Sequence, residues 1–399
     1  MVLLRSITLD GILSFRPESA PLSLEPLNVL IGPNGSGKSN LIEAIELLHA
    51  TPTALASAIR DGGGAREWLW KGEGGAKNAK IEAALCGLVP TIPDLRYKLS
   101  FTSAGQRTEL TDEAIEELER RNPNEATPYF YYRFQSGHPV LNVREVADGL
   151  AAGPGILRNL KRQSLIPDES VLSQRKDPDL YPELTWVGKQ FTNIQTFREW
   201  SFGRYVPLRQ PQPATLQSKP LLADSTNLGL ILNQLEHTDA GPEFNRLIGR
   251  FLPRFRRFST LIEGGTVQFY LHEQGLKSPV PATRLSDGTI RFMALLALLL
   301  APIPPSLICI EEPELGLHPD ALGLLAELMV QASTRTQLIV TTHSDALVSA
   351  FTEFADSVIV CENNGGTEFR RVERDRLRYW LNQYRLGEIW RIGELGGNP

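Results

Sequence analysis

Residues 27–40, Leu-Asn-Val-Leu-Ile-Gly-Pro-Asn-Gly-Ser-Gly-Lys-Ser-Asn, constrain this chain more than any other stretch. Leu27–Ile31 reads as a buried strand, residues 32–39 fit G-x-x-x-x-G-K-S, and residues 40–49 carry apolar side chains at helical spacing. A strand, a glycine loop and a helix start in this order predict an anion cradle. Gly32, Gly35 and Gly37 let successive backbone N–H groups turn inward, and the helix N-terminus adds partial positive charge. Pro33, Asn34, Ser36 and Asn40 complete the binding segment. Lys38 is expected to reach the terminal phosphates of a nucleoside triphosphate, and the Ser39 hydroxyl to hold Mg²⁺. A chance glycine turn would not need both flanks to be right.

The rest of the composition sets bounds. A chain of 399 residues can bury a sizeable core and predicts two or three domains. Its net charge of −5 argues against a coat of basic charge but leaves room for a local basic stripe. Cys86, Cys309 and Cys361 are far apart and form no C-x-x-C pair, which predicts small buried hydrophobes in a reducing compartment. The first ten residues alternate like a strand and lack the apolar run of a signal peptide. The most apolar stretch, 293–301, is too short to cross a bilayer. A cytoplasmic protein with no membrane partner is the simplest expectation.

Three segments are expected along the chain. Residues 1–150 form an N-terminal lobe holding the glycine loop and a β subdomain, with strands at 7–15, 22–31, 80–86, 96–102, 129–134 and 140–146. Residues 61–75, glycine-rich around Trp68 and Trp70, read as a packed surface loop. Residues 111–121 read as a capped helix whose acidic residues form a solvated face. Residues 151–262 turn helical and irregular, and 263–399 form a C-terminal lobe. No heptad run long enough for a coiled-coil arm is visible. Basic clusters occur at 158–162, at 254–257 and at Arg370, Arg371 and Arg378; that at 254–258 interleaves arginine with phenylalanine, which suits phosphate contact, though each is short enough to be a solvated face.

The remaining chemistry lies in the second half. Ser286 and Gly288 are expected at the start of an apolar helix, a second anion-binding arrangement. The apolar run 307–310 ends in Glu311-Glu312-Pro313-Glu314. Carboxylates at the end of a central strand beside a phosphate loop suit a metal partner, Glu311, and a base for the attacking water, Glu312. Glu314, on the outgoing turn, is expected to do neither. A second apolar run, 337–342, delivers His343 to a strand end, where it can report a γ-phosphate.

Together these motifs resemble the ABC-type ATPase heads, in particular the RecF/SMC-like branch and the stand-alone ATPases filed under AAA. Leu285-Ser-Asp-Gly-Thr289 looks like the signature segment, Ile310 to Pro319 like the Walker B and D-loop segment, and Thr341-Thr-His-Ser344 like the switch histidine. Spacing agrees: Ser286 lies 26 positions before Glu312, and His343 lies 31 after it. Residues 178–184 and 384–390 also resemble the stand-alone group. The chain departs from the pattern at Glu311, where Asp is usual, and at Asp287, where Gly is common. Gln135 and Gln174 are candidates for the Q-loop glutamine. No zinc-hook cysteine pair is present, and the 56 residues after His343 are too few for the nuclease domain of OLD-type relatives.

The resemblance implies an α/β P-loop NTPase of ABC-ATPase type, with a central mostly parallel sheet, an antiparallel β subdomain and a helical insertion. It implies ATP and Mg²⁺ as cofactors, hydrolysis of ATP, and a homodimer in which Ser286 of one copy closes over the triphosphate held by the other. Three function classes stay open: a switch acting on DNA in repair or genome maintenance, an antiphage-defence ATPase regulating an effector protein, and a transporter's nucleotide-binding subunit.

Overall fold

The protein's structure, a computed structural model, describes residues 2–87, 92–105, 107–135, 138–143, 146–147, 150–151, 156–159, 165–198 and 200–397. Four sheets organise the described residues. An eight-stranded antiparallel sheet takes β1 (Leu4–Asp10) and β2 (Leu22–Ser23), then β4 (Ala79–Leu85), β5 (Leu95–Ala104), β6 (Arg107–Glu117), β7 (Phe130–Gln135), β8 (His138–Val143) and β11 (Ile156–Asn159). β9 (Val146–Ala147) and β10 (Leu150–Ala151) pair with each other. The six-stranded central sheet has the order β12 (Ile194–Phe197), β17 (Leu307–Glu311), β18 (Gln337–Thr341), β3 (Leu27–Ile31), β19 (Val358–Asn363), β20 (Thr367–Arg371). All but its last pair are parallel. The fourth sheet groups β13 (Gln212–Pro213), β14 (Phe255–Glu263), β15 (Thr266–Glu273) and β16 (Val280–Pro281).

The twelve helices are α1 (Lys38–Ala50), α2 (Leu55–Asp61), α3 (Ala65–Trp68), α4 (Val171–Gln174), α5 (Pro182–Thr192), α6 (Leu228–Glu236), α7 (Ala240–Phe251), α8 (Asp287–Leu299), α9 (Leu322–Ser333), α10 (Asp345–Ala350), α11 (Arg378–Leu381) and α12 (Leu386–Arg391), counted among the described residues. None is long and apolar enough to cross a membrane.

The central strands are apolar at nearly every position because both faces are covered. Val29, Ile31, Ile308, Ile310 and Val340 face a core shared with α6–α9; Leu30, Leu307, Cys309 and Ile339 face a second core shared with α1, α5 and the antiparallel sheet. Parallel strands place their carboxyl ends on one edge, so the residues after Ile31, Phe197, Glu311 and Thr341 emerge together. That edge carries the site. β12 belongs to this sheet although it lies within the 151–262 segment, where helical character was expected.

Residues 111–121 differ from their expected helix. They belong to β6 and the turn after it, and three of their carboxylates point inward. Glu113 accepts from Tyr97 Oη at 2.8 Å, Ser170 Oγ at 2.5 Å and Val171 N at 2.9 Å. Glu116 pairs with Lys98 at 2.7 Å and Arg133 at 3.2 Å, and Glu117 with Arg121 at 2.6 Å. Half of these partners, Tyr97, Lys98 and Arg133, come from neighbouring strands, so tertiary pairing overrides the local helix pattern. The loop around Trp68 is packed as expected, with the indole buried and its Nε1 donating to Ile59 O at 3.1 Å.

Candidate active site

The phosphate loop runs from β3 into α1. At Gly37 the backbone is left-handed (φ +98°), and a Cβ would overlap the Thr367 hydroxyl. That threonine belongs to a latch: Thr367 Oγ1 donates to Ser36 O at 3.0 Å and bonds Ser14 Oγ at 2.7 Å, and Ser14 Oγ accepts from Asn40 Nδ2 at 2.7 Å. Asn363 Nδ2 adds a bond to Gly35 O at 3.1 Å. The loop's shape is therefore held from the far edge of the sheet. Lys38 is buried, and its Nζ donates to Gly32 O at 2.8 Å and Pro33 O at 3.0 Å. Burial pulls its pKa down, opposed by the charges of Glu312 and Glu311.

One cleft of about 170 Å³ is lined by Asn34, Gly35, Gly37, Lys38, Ser39 and Asn40 from the loop, and by Glu311, Glu312, Thr341 and His343 from the strand ends. Gly32, Pro33 and Ser36 form the loop behind them. Parallel register brings the two strand ends together, Glu311 opposite Thr341. Glu312 sits at φ +46°, a strained conformation for a non-glycine residue that aims its side chain across to His343. His343 Nε2 lies 3.7 Å from Glu312 Oε1. Burial, then the nearby Lys38 charge, lower the pKa of His343, so the ring is neutral at pH 7.

Glu311 Oε1 is buried and has no hydrogen-bond partner. It lines the same cleft as the Ser39 hydroxyl. A hard oxygen-seeking cation suits that pair. Among the described residues no group of three or more His, Cys, Asp or Glu side chains could hold a metal. A cation here would thus rely on hydroxyl, carboxylate and phosphate oxygens.

Ser286 and Gly288 stand apart from the residues lining the cleft. Ser286 is the exposed N-cap of α8, accepting from Thr289 N at 3.1 Å. Gly288 is small for a packing reason, since a Cβ there would lie 2.5 Å from Gly316 O. Arg209, 2% exposed, ties down this turn: it donates to Leu285 O at 2.6 Å, Ala282 O at 3.1 Å and Phe202 O at 2.9 Å, and pairs with Asp287. Asp287 thus has a bonding role in the position where glycine is common.

Several residues of the site escaped the sequence reading. Glu314 accepts from Thr342 Oγ1 at 2.5 Å and from His343 N at 3.2 Å, tying the turn after β17 to the histidine. Arg291 donates to Glu312 O at 3.2 Å and Trp200 O at 3.0 Å. Arg198 follows β12 and contacts Glu311. No apolar run marks Arg198 in the sequence, because the strand before it, Ile-Gln-Thr-Phe, is half polar. Gln174 bonds around α4, to Glu169 O at 2.9 Å and Ile166 N at 2.8 Å, which gives it a capping role. The side chains of Gln135 and of the 158–162 cluster lie outside what the structure describes. Arg371 is structural, donating to Asn28 Oδ1 at 2.7 Å and Ser23 O at 2.9 Å.

Known proteins share this fold. The Smc head bound to the C-winged helix domain of ScpA superposes with a TM-score of 0.58 at 13% identity, covering 94% of this chain and 99% of that one. The Smc head with an extended coiled coil from Pyrococcus furiosus, bound to the C-terminal domain of ScpA, gives 0.56 at 12%, covering 96% and 99%. At the sequence level, the Old nuclease of Escherichia phage P2 is 37% identical over 73 residues, which is 18% of this chain and 12% of that protein's length. The fold is that of an ABC-type, SMC-like ATPase head. A family model spans residues 27–349, from β3 into α10, and the chain belongs to that family, described as "AAA domain, putative AbiEii toxin, Type IV TA system".

Proposed function

We propose that the protein binds ATP with Mg²⁺ and hydrolyses it as a dimerising switch. The observation that carries this reading is the meeting of Lys38, Ser39, Glu311, Glu312 and His343 in one cleft, with Ser286 presented elsewhere on the surface. Lys38 and the loop N–H groups would grip the triphosphate, and Ser39 and Glu311 would hold the metal. When bound, Mg²⁺ offsets charge on the β- and γ-phosphates. Glu312 takes a proton from water as its oxygen attacks the γ-phosphorus and the bond to the bridging oxygen breaks. Neutral His343 donates a hydrogen bond to a γ-phosphate oxygen. Ser286 of a second copy closes the site. Glu312→Gln should keep ATP binding, lose about 10²-fold or more in turnover, and accumulate an ATP-bound dimer in light scattering; unchanged turnover would count against the assignment.

DNA is the partner this reading favours. Arg254, Arg256 and Arg257 are exposed, and none has an ion-pair partner among the described residues. A register shift between Phe255 and Arg257 leaves two consecutive arginines facing outward. His272, opposite Arg257, has its pKa lowered by burial and by these two charges. An uncompensated basic bulge on a chain of net charge −5 suits a polyanion. The family description and the Old nuclease match favour a second reading, a defence ATPase that regulates an effector protein.

A further inference from the structure

Phe197 of β12 is in register with Ile310 of β17, so the next residues, Arg198 and Glu311, leave the sheet side by side. Arg198 Nε lies 3.5 Å from Glu311 Oε2, and its Nη1 lies 2.9 Å from Glu46 Oε2. Glu46 is itself fixed, because its other oxygen accepts from Thr196 Oγ1 at 2.7 Å. A third carboxylate, Glu43, also feels this guanidinium. Ser39, Glu43 and Glu46 are spaced four and three apart along α1 and share one helical face. Arg198 therefore bridges the helix face that begins with the metal-binding hydroxyl to the strand end that carries the metal carboxylate.

The two contacts are unequal. The Glu46 pair is close and braced by Thr196. The Glu311 pair is longer, and Glu311 still has a buried oxygen without a partner. We infer that Arg198 is a positioning residue for Glu311: a built-in counter-ion, anchored on Glu46, which holds the metal carboxylate ready and yields it to the divalent cation. The inference rests on the reading of Glu311 as the metal carboxylate. A divalent ion at about 2.1 Å from a carboxylate oxygen outcompetes a guanidinium at hydrogen-bond distance. The anchored arginine stays beside the site through Glu46 and limits how tightly the cation is held.

The test uses Mn²⁺ titrated by electron paramagnetic resonance on the full chain with a non-hydrolysable ATP analogue, so turnover is not the readout. Arg198→Ala should bind Mn²⁺ about fivefold more tightly than wild type, the worth of a partly exposed ion pair removed from competition. Arg198→Ala with Glu311→Gln should lose that gain. Arg198→Lys, which conserves charge and guards against misfolding of the alanine variant, should remain on the nearer Glu46 and also tighten Mn²⁺. An unchanged or weaker Mn²⁺ affinity in the folded single variants, or a gain that survives Glu311→Gln, overturns the inference. If Glu311→Gln alone leaves Mn²⁺ binding intact, the metal assignment fails instead, and the inference falls with it.

Discussion

His343 lies 3.7 Å from Glu312, and its own charge state is set by its surroundings. Burial and Lys38 lower the pKa of His343, while Glu312 opposes the shift. The ring therefore stays neutral at a pH where a free imidazole begins to protonate. The sign follows directly. Below the ordinary value near 6.5 the unfolded chain takes up a proton that the folded site resists, so the site's contribution to stability is present above that pH and lost as pH falls. If turnover depends on the neutral ring, the rate should fall on the acid side of about pH 6.5, below the lowered pKa. His343→Gln, which cannot titrate, should flatten that limb in a steady-state pH profile. An identical acid limb in both proteins would argue against a role for the imidazole. Gly37→Ala should destabilise by about 1–3 kcal/mol in urea melts, because the left-handed backbone and the Thr367 hydroxyl both resist a Cβ.

β6 shows how an element can be decided from outside itself. Its residues 111–117 are strongly acidic, which locally reads as a solvated helix, yet Glu113 is buried against Tyr97, Ser170 and the start of α4. Burial raises the Glu113 carboxyl from 4.5 to about 6, against the pull of its hydrogen bonds. Between those values the folded chain binds more proton than the unfolded one. Stability should therefore fall by about 2 kcal/mol as pH rises from 4.5 through 6. Glu113→Gln should remove this part of the slope in urea denaturation followed across pH. A wild-type slope no steeper than that of the variant would speak against it.

At the scale of the whole molecule the cleft is assembled within one chain, and the α8 turn belongs to another part of its surface. Ser286→Arg should leave binding of a fluorescent ATP analogue unchanged and abolish both ATP-dependent light scattering and dimer-dependent hydrolysis. A monomer that still turns over would refute the two-copy arrangement. DNA retention should depend steeply on salt. Replacing Arg254, Arg256 and Arg257 by alanine should lower the slope of log affinity against log salt by about one per arginine in gel shifts. A slope that stays the same would move the DNA contact elsewhere or favour a protein partner.

The sequence by itself determined which residues could be read as the cleft's motifs, since the loop at 32–40, the Glu311-Glu312 pair and His343 each stand at the end of a strand legible from its own short stretch. It also determined the parallel core, because strands covered on both faces must be apolar throughout. Only the tertiary structure decided the rest. Arg198 meets Glu311 through strand register, Thr367 latches a loop more than 300 positions away, Arg209 clamps the α8 turn, and β6 is a strand because its carboxylates find partners on other strands. Each of these depends on a hydrogen bond or ion pair between residues distant in sequence, and such contacts leave no periodic trace along the chain.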